Sequence, residues 1–548
     1  MFEGLNYEEL KRRANERPSD QVVAKLAARG ECRSVAAGEA LYRVDDRQYP
    51  LVFAISATLE VRDPDGLVLG VMEPGGFTGE LALLFGQTAF ADCIAVTPGE
   101  VLLVAQPAIA DLVQVDPEVS DALLPSFAAR RLLLMQRQQG TLTLVGREGS
   151  PLLQRLLEFS ERNRIPYRWL DPAVPAQLEQ IRARGLEASA VQVIVRGRHT
   201  LREPSVAEVA RALGLELAAD HSEPVDLIIA GAGPAGFSAA VYGASEGLRT
   251  ILFDDVAIGG QSAASSRIEN FLGFPTGVSG ADLAFRAELQ AIKFGARVAL
   301  PRRAQKLERS SRPGFYEVTL DDGSILLGRS VVIATGARYR KLGVPDEERF
   351  QGAGVYYAAT ELEARPCRNQ EVVVVGGGNS AGQAAMFLAS RASCVRLVHR
   401  GRDLSDSMSQ YLVGRLRHAA NVSIETSSEV IELSGDERLR SVRIRDGAGQ
   451  VRERATGGLF IMIGADPCTG WIREVVRLDN RGFILTGEDC GADAAVPFNV
   501  FQTNLPGVFA VGDVRSGSVK RVASAVGEGS VVVQAIHARL AALRQSGS

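Results

Sequence analysis

Two short glycine-rich stretches carry most of the chemistry legible in this chain. The first runs Gly231-Ala-Gly233-Pro234-Ala235-Gly236, a G-x-G-x-x-G spacing. Its first glycine permits a tight turn, its second lets a pyrophosphate approach the backbone, and its third lets a helix pack closely on a strand. Twenty-three residues after the first glycine stands Asp254, an acid suited to accept hydrogen bonds from a ribose diol. The second stretch, Gly376-Gly-Gly378-Asn379-Ser380-Ala381, has the G-x-G-x-x-A form, and at the same distance from its first glycine comes His399, followed by Arg400 and Arg402. A carboxylate repels a ribose 2′-phosphate; Arg400, with His399 and Arg402, attracts one. The first site is therefore expected to hold FAD and the second NADPH rather than NADH. Two such sites in one chain imply hydride transfer from a nicotinamide to a flavin.

The flanking sequence has the elements that must position these loops. Val225–Ala230 is an apolar run fit for a buried parallel strand, Phe237–Glu246 reads as a helix, and Thr250–Phe253 is a strand ending at Asp254. The second site repeats the order with strand Glu371–Val375, helix Gly382–Arg391 and strand Val395–Val398. At 548 residues the chain exceeds what one hydrophobic core supports, so three or four domains are expected.

Residues 225–548 resemble the low-molecular-weight thioredoxin reductase family over nearly their full length. Gly259-Gly260-Gln261 and Ile268-Glu-Asn270 match its flavin-contacting segments, and Val332-Ile-Ala-Thr335-Gly336 its crossover out of the FAD domain. Phe509-Ala-Val-Gly512-Asp513 matches the segment whose aspartate binds the flavin ribityl chain; Arg521-Val522-Ala523 and Gly527-Glu-Gly529 fall in its last flavin helix. The resemblance implies a discontinuous FAD-binding domain, 225–340 and 459–548, with an NADPH-binding domain, 341–458, inserted. Leu459-Phe-Ile-Met-Ile-Gly464 is then the strand returning to the FAD domain. It also implies a homodimer. The redox C-x-x-C of that family is missing: the matching stretch is Tyr356-Tyr-Ala-Ala-Thr-Glu361, with Ala358 and Glu361 at about the cysteine positions and Cys367 alone nearby.

Upstream, residues 1–139 read as helix, then short alternating strands over Val35–Val104 broken by turns such as Asp63-Pro-Asp-Gly66, then helix. This β-roll resembles a cyclic-nucleotide-binding domain, and Gly79-Glu80 matches the ribose-binding part of its cassette. The cassette's arginine would fall in Thr88-Ala89-Phe90-Ala91, where no cation stands, so cyclic-nucleotide binding is disfavoured and a degenerate regulatory or docking domain is expected. Residues 140–218 offer strands at Leu142–Val145, Tyr167–Leu170 and Gln192–Val195, with a helix Leu152–Asn163 between the first two and a closing helix at Pro204–Gly214, resembling a thioredoxin- or glutaredoxin-like module. Its usual cysteines are replaced by Gly146-Arg-Glu-Gly-Ser150, and a hydroxyl cannot stand in for a thiolate. Leu217–Pro224 is a polar connection. The fold class expected is multidomain α+β and α/β: an N-terminal β-roll, a thioredoxin/glutaredoxin-like middle module, then two Rossmann-type domains for FAD and NAD(P).

Composition narrows the partners. Lys plus Arg (61) nearly balances Asp plus Glu (65), without a basic run to track a phosphate backbone, so no nucleic-acid partner is expected. No apolar segment reaches the ~20 residues of a membrane span. The six cysteines form no C-x-x-C, which fits a reduced, cytoplasmic chain, and the five histidines are dispersed, so no metal site is expected. No spacing singles out a catalytic residue; Glu361, Glu363 and His399 are conceivable proton donors. Three readings stand: an NADPH-oxidising flavoprotein of thioredoxin reductase type with an unidentified electron acceptor (a protein disulfide, quinone or ferredoxin-type carrier); a ferredoxin/flavodoxin-NADP reductase; and a non-enzymatic flavin/NADPH redox sensor.

Overall fold

The computed structural model describes residues 6–64, 66–79, 81–84, 88–137, 141–215, 223–265, 268, 270–347, 349–357, 359, 361–491 and 499–545. Glu80, Glu269, Ala358 and most of the 217–224 connection lie outside them. The chain opens with two capped helices. Asn6 and Glu9 form a reciprocal capping box on Tyr7–Ala14, and the Ser19 hydroxyl accepts from Val22 N at the start of Asp20–Ala27. Two four-stranded antiparallel sheets follow, in the orders 31–35, 99–104, 51–54, 77–78 and 40–42, 92–95, 59–62, 68–72. Helices Gln106–Val115 and Pro117–Gln136 close the roll, with Phe127 of the long helix edge-on to Phe77 at 5.9 Å.

The middle module is a four-stranded sheet in the order 167–170, 142–145, 192–195, 199–202. Its first pair is parallel and the remaining pairs antiparallel. Strand His199–Arg202 and helix Pro175–Ala183 were not anticipated. That strand's side chains are mostly exposed, and so short a helix does not generate a periodic stripe.

The first nucleotide unit is built on a seven-stranded sheet ordered 297–299, 250–253, 225–230, 325–333, 316–320, 304–309, with Val508–Ala510 parallel to the end of Ile325–Ile333. The second has a parallel sheet ordered 355–356, 458–461, 371–375, 394–398, 422–425. A three-stranded antiparallel sheet, 429–435, 439–445, 451–455, is appended to it. Contrary to expectation, the run from Leu459 does not return to the first sheet: Gly458–Ile461 pairs in parallel with Val372–Val375 at the centre of the second. An apolar run that is buried on both faces reads alike in either sheet, so composition could not choose its partner. The chain passes back only afterwards, where Ala337–Tyr339 and Ala465–Pro467 pair antiparallel as twin crossings between the units.

Helix Gly280–Lys293 serves two cores. Ala284 and Ala291 pack with the first nucleotide unit, whereas Phe285 and Leu289 are buried in the core of the N-terminal roll. Around it, Lys293 pairs with Asp121 at 2.8 Å, and Gln114 Nε2 donates to the Phe294 carbonyl at 3.3 Å. Buried Glu288 of the same helix is acted on by Arg131 from the roll and Arg164 from the middle module, and Arg164 lies 4.4 Å over the Phe285 ring. The N-terminal roll is thus joined to the flavin half through a shared core. Among the described residues no helix is long and apolar enough to cross a membrane.

Candidate functional site

At the first loop, Gly231 has φ 113°, and a Cβ there would lie 2.2 Å from the Ala334 carbonyl oxygen. At Gly236 a Cβ would lie 1.8 Å from the Gly231 oxygen, so neither position admits a side chain. Gly233 differs: nothing lies within 4 Å of its would-be Cβ, which leaves an open backbone face at the start of helix Pro234–Ser245. Pro234 and Ala235 open that helix. Tight first and third glycines with an open second one form the cradle a pyrophosphate needs, its charge facing the helix N-terminus.

Asp254 ends strand Thr250–Phe253. Its carboxylate accepts from Ala232 N at 2.8 Å and Val256 N at 3.1 Å, which ties the acid to the loop. Burial, and then the neighbouring Asp255 charge, push Asp254 up from its ordinary value against these two bonds and the Arg162 charge. Gly259 and Gly260 both have positive φ, 85° and 52°, and Gly259 N–H donates to the Ala232 carbonyl at 2.7 Å. Gln261 Nε2 donates to the Ala337 carbonyl at 2.9 Å, while its Oε1 is buried with no partner among the described residues. Thr335 Oγ1 donates to the Cys468 carbonyl (2.9 Å), and the Gly336 carbonyl accepts from Cys468 N (3.0 Å). Asn270 is exposed.

The C-terminal helix Val522–Gln545 completes the site from the far end of the chain. A Cβ at Gly529 would lie 2.2 Å from the Ala235 oxygen, and Ser238 Oγ donates to the Val526 carbonyl at 2.7 Å, so the two helices touch backbone to backbone. This brings Gly512 against Ala235 and Asp513 into the neighbourhood of the first loop. Gly512 N–H donates to Glu528 Oε2 (2.6 Å), and Glu528 also holds Arg515 at 2.6 Å. Burial raises the Asp513 carboxyl; Lys520 pulls it back and Glu528 pushes it further up. Arg521 and Ala523 are exposed and Val522 is half-buried at the helix start. Glu528 escapes sequence reading, because a glutamate between two glycines has no spacing that reveals its partner.

The second loop has the same logic. Gly376 has φ 150°, and a Cβ there would meet the Met462 oxygen at 2.3 Å; Gly378 is open, with its nearest neighbour at 3.9 Å. Ala381 is fully buried where the first site has Gly236. Asn379 and Ser380 start helix Asn379–Ala389, and Asn379 Oδ1 accepts from Ser409 N at 2.7 Å. Ser407 Oγ donates to the Gly377 carbonyl at 2.9 Å. These serines were missed because no fixed motif marks them. The His399 ring lies between Gly377 and Gly401, where added Cβ atoms would be 2.2 and 2.3 Å from it. Arg400 and Arg402 are exposed, and among the described residues neither is paired with a carboxylate.

Where a dithiol would stand, the chemistry is different. Cys367 is buried, donates to the Gly457 and Glu363 carbonyls at 3.3 and 3.5 Å, and is pushed up to about 12 by burial. Glu361 is bonded to Arg391 and lies 3.6 Å from Arg368; the Arg391 bond, before all else, holds it below the ordinary carboxylate value. It stays ionised and is a poor proton donor. Ala359, two residues before it, forms a parallel bridge with Ser265 of the flavin half.

Two nucleotide-binding units in series, with an anion-repelling first ribose site and a cationic second, define a flavin- and nicotinamide-dependent oxidoreductase. Residues 225–529 match the family described as pyridine nucleotide-disulphide oxidoreductase, and residues 32–116 match the cyclic nucleotide-binding domain. The chain is 34% identical over 327 residues to a thioredoxin reductase of Streptomyces clavuligerus, covering 59% of this chain and 97% of that one. It is 33% identical over 312 residues to a component of the alkyl hydroperoxide reductase of Staphylococcus aureus, covering 57% of this chain and 58% of that one. Among solved structures, Lactococcus lactis thioredoxin reductase in its FR conformation superposes with a TM-score of 0.53 at 30% identity, over 58% of this chain and all of that one. The chain belongs to the pyridine nucleotide-disulphide oxidoreductase family. It is an NADPH-dependent flavoprotein enzyme of thioredoxin reductase type, with FAD and NADPH as cofactors. The open cradle at Gly233 and the orphaned Gln261 Oε1 fit FAD; the open Gly378 and the exposed Arg400 and Arg402 fit NADPH.

Proposed function

We propose that this protein oxidises NADPH through FAD and delivers the electrons to an external acceptor without passing them through a dithiol of its own. One observation carries this reading: the only cysteine near the expected redox position, Cys367, is a buried, protonated thiol bonded to two carbonyls, and Glu361 beside it is locked to Arg391. FAD, when bound, supplies the two-electron chemistry. The chain's own residues do the rest. Gly233 and the start of helix Pro234–Ser245 present backbone N–H groups to the pyrophosphate. Asp254, fixed by Ala232 and Val256, accepts from the adenosine ribose and Asp513 from the ribityl chain. Arg400 and Arg402, with His399 clamped beside them, recognise the 2′-phosphate that separates NADPH from NADH. The acceptor is a protein disulfide, a quinone or a ferredoxin-type carrier, reached from a homodimer whose units divide near 225–340 plus 465–548 and 341–464.

The N-terminal roll acts as a degenerate regulatory or docking domain. Arg130 stands beside Gly79: its Nε donates to the Ala14 carbonyl (2.8 Å), its Nη1 to the Gly79 carbonyl (3.1 Å), and its guanidinium lies on the Phe77 ring at 4.3 Å. Ala89, where the cassette arginine would stand, is 1% exposed. An anaerobic titration of the flavin absorbance with NADPH and separately NADH tests the central reading. Bleaching at far lower NADPH concentration supports it; flavin that neither nucleotide reduces contradicts it.

A further inference from the structure

The middle module has no thiols at the position where such modules keep them, yet the end of its first helix reaches the flavin site. Helix Pro151–Arg162 carries Arg162 at its last position, and Arg162 Nη2 donates to the Gly260 carbonyl at 3.1 Å. Its Nη1 is held by Glu158 one turn back, at 3.2 Å, while its Nε is buried with no partner among the described residues. The next residue, Asn163, donates from Nδ2 to the Phe159 carbonyl (2.8 Å) and the Val256 carbonyl (3.3 Å), and its Oδ1 is likewise buried and unpartnered. Both residues grip one segment, Val256–Gly260, and directly after it Gln261 Oε1 is a third orphaned atom.

Buried polar atoms are nearly always hydrogen-bonded, so three orphans around one loop mark the side on which a further polar partner binds. The position of that loop says which partner. A Cβ on Gly260 would lie 3.1 Å from the Cα of Gly233, the glycine whose open face defines the pyrophosphate cradle. The Arg162 charge also acts on Asp254, the acid of the ribose site. An arginine whose field reaches the ribose acid, and whose bond fixes the loop over the open glycine, supplies a fork of donors where a dinucleotide brings negative charge.

We infer that Arg162, with Asn163, is a FAD-positioning residue contributed by the middle module, holding the loop Val256–Gln261 closed on the flavin nucleotide and placing a cation at its anionic end. This gives the module a task that needs no thiols. The inference rests on the first site holding FAD.

The test uses the full-length chain. Flavin is removed, and FAD affinity is measured by fluorescence quenching for the natural protein, Arg162→Leu, Arg162→Lys and the control Arg438→Ala; thermal unfolding of the flavin-free forms is recorded alongside. Arg438, at the turn before strand 439–445 of the second nucleotide unit, touches the module elsewhere, against Gly149 and 3.8 Å from Glu148. Arg162→Leu is expected to weaken FAD binding about tenfold to a hundredfold, the loss of one charge-assisted hydrogen bond. Lys is expected to lose less, Arg438→Ala nothing, and the flavin-free forms to unfold alike. Unchanged FAD affinity in Arg162→Leu overturns the inference, as does a loss matched by Arg438→Ala or by an equal fall in flavin-free stability. If Arg162→Leu does not fold, Arg162→Gln, which keeps a donor but not the charge, is read the same way. A natural chain that takes up no FAD would instead sink the assignment of the first site.

Discussion

Replacing Arg400 and Arg402 together by alanine should remove the preference for NADPH while leaving NADH use intact. Both guanidiniums are exposed at the end of strand Cys394–Val398, and among the described residues neither meets a carboxylate, so their loss breaks no internal ion pair. A charge-assisted hydrogen bond contributes about 1.5–3 kcal/mol, and solvent screening at an exposed site places each arginine at or below the lower end. For the pair this amounts to roughly 2–3 kcal/mol, or about a 30- to 150-fold fall in the NADPH-to-NADH ratio of kcat/KM. The assay is anaerobic stopped-flow bleaching of the flavin across a concentration series of each nucleotide. KM for NADPH should rise with the bleaching rate at saturation unchanged, because the 2′-phosphate is remote from the reacting carbon. Raising ionic strength toward about 1 M should shrink the preference of the natural protein and leave the double variant unmoved. If the double variant loses NADPH and NADH reactivity equally, the arginines support the fold of the site and do not read the phosphate.

Other expectations follow from the same geometry. Glu288 is buried, and burial raises it from 4.5 to about 7 against the Arg131 and Arg164 charges. Because the folded protein binds this proton more tightly than the unfolded chain, its contribution is fully present below the ordinary value and is lost as pH rises through about 7. The loss is at most about 3 kcal/mol, and Glu288→Gln should flatten that part of a chemical-denaturation pH profile. Gly236→Ala would put a Cβ 1.8 Å from the Gly231 oxygen, so that variant should purify without yellow colour; retained flavin would show the loop can yield. Phe285→Ala should cost about 3–5 kcal/mol and destabilise the N-terminal roll and the flavin half together; separate transitions, with only one shifted, would contradict a shared core. Calorimetry with cyclic AMP and cyclic GMP should give no saturable heat at micromolar concentrations, whereas clear binding would mean a cation other than Arg130 reaches the cassette.

The two nucleotide loops were legible because their chemistry is local. Gly231, Gly236 and Gly376 are dictated by backbone clashes at the strand-to-helix turn, and the strands that hold them are short, continuous apolar runs. Pairing partners were not legible. Gly458–Ile461 is as apolar as a strand of the first sheet would be, and only the fold shows it between Val355–Tyr356 and Glu371–Val375. The same holds for long-range contacts: Glu528 on Gly512, Ser407 on Gly377 and Arg162 on Gly260 join residues whose spacing in the chain carries no period. Glu361, a conceivable proton donor in sequence, is excluded by Arg391, thirty residues away. The link between the roll and the flavin half was hidden for a different reason. Helix Gly280–Lys293 reads as amphipathic, but sequence cannot tell that two of its apolar faces serve different cores.

The most direct test of the account counts electrons. In an anaerobic titration with dithionite, a reductase with its own dithiol takes up two equivalents of reductant per flavin, one for the flavin and one for the disulfide. A chain whose cysteine nearest in sequence to the expected redox position is the buried, carbonyl-bonded Cys367 should be fully reduced by one equivalent per FAD, with no thiols gained. Uptake of a second equivalent, with new thiols appearing, would contradict the claim that electrons leave the flavin without passing through a dithiol of the chain.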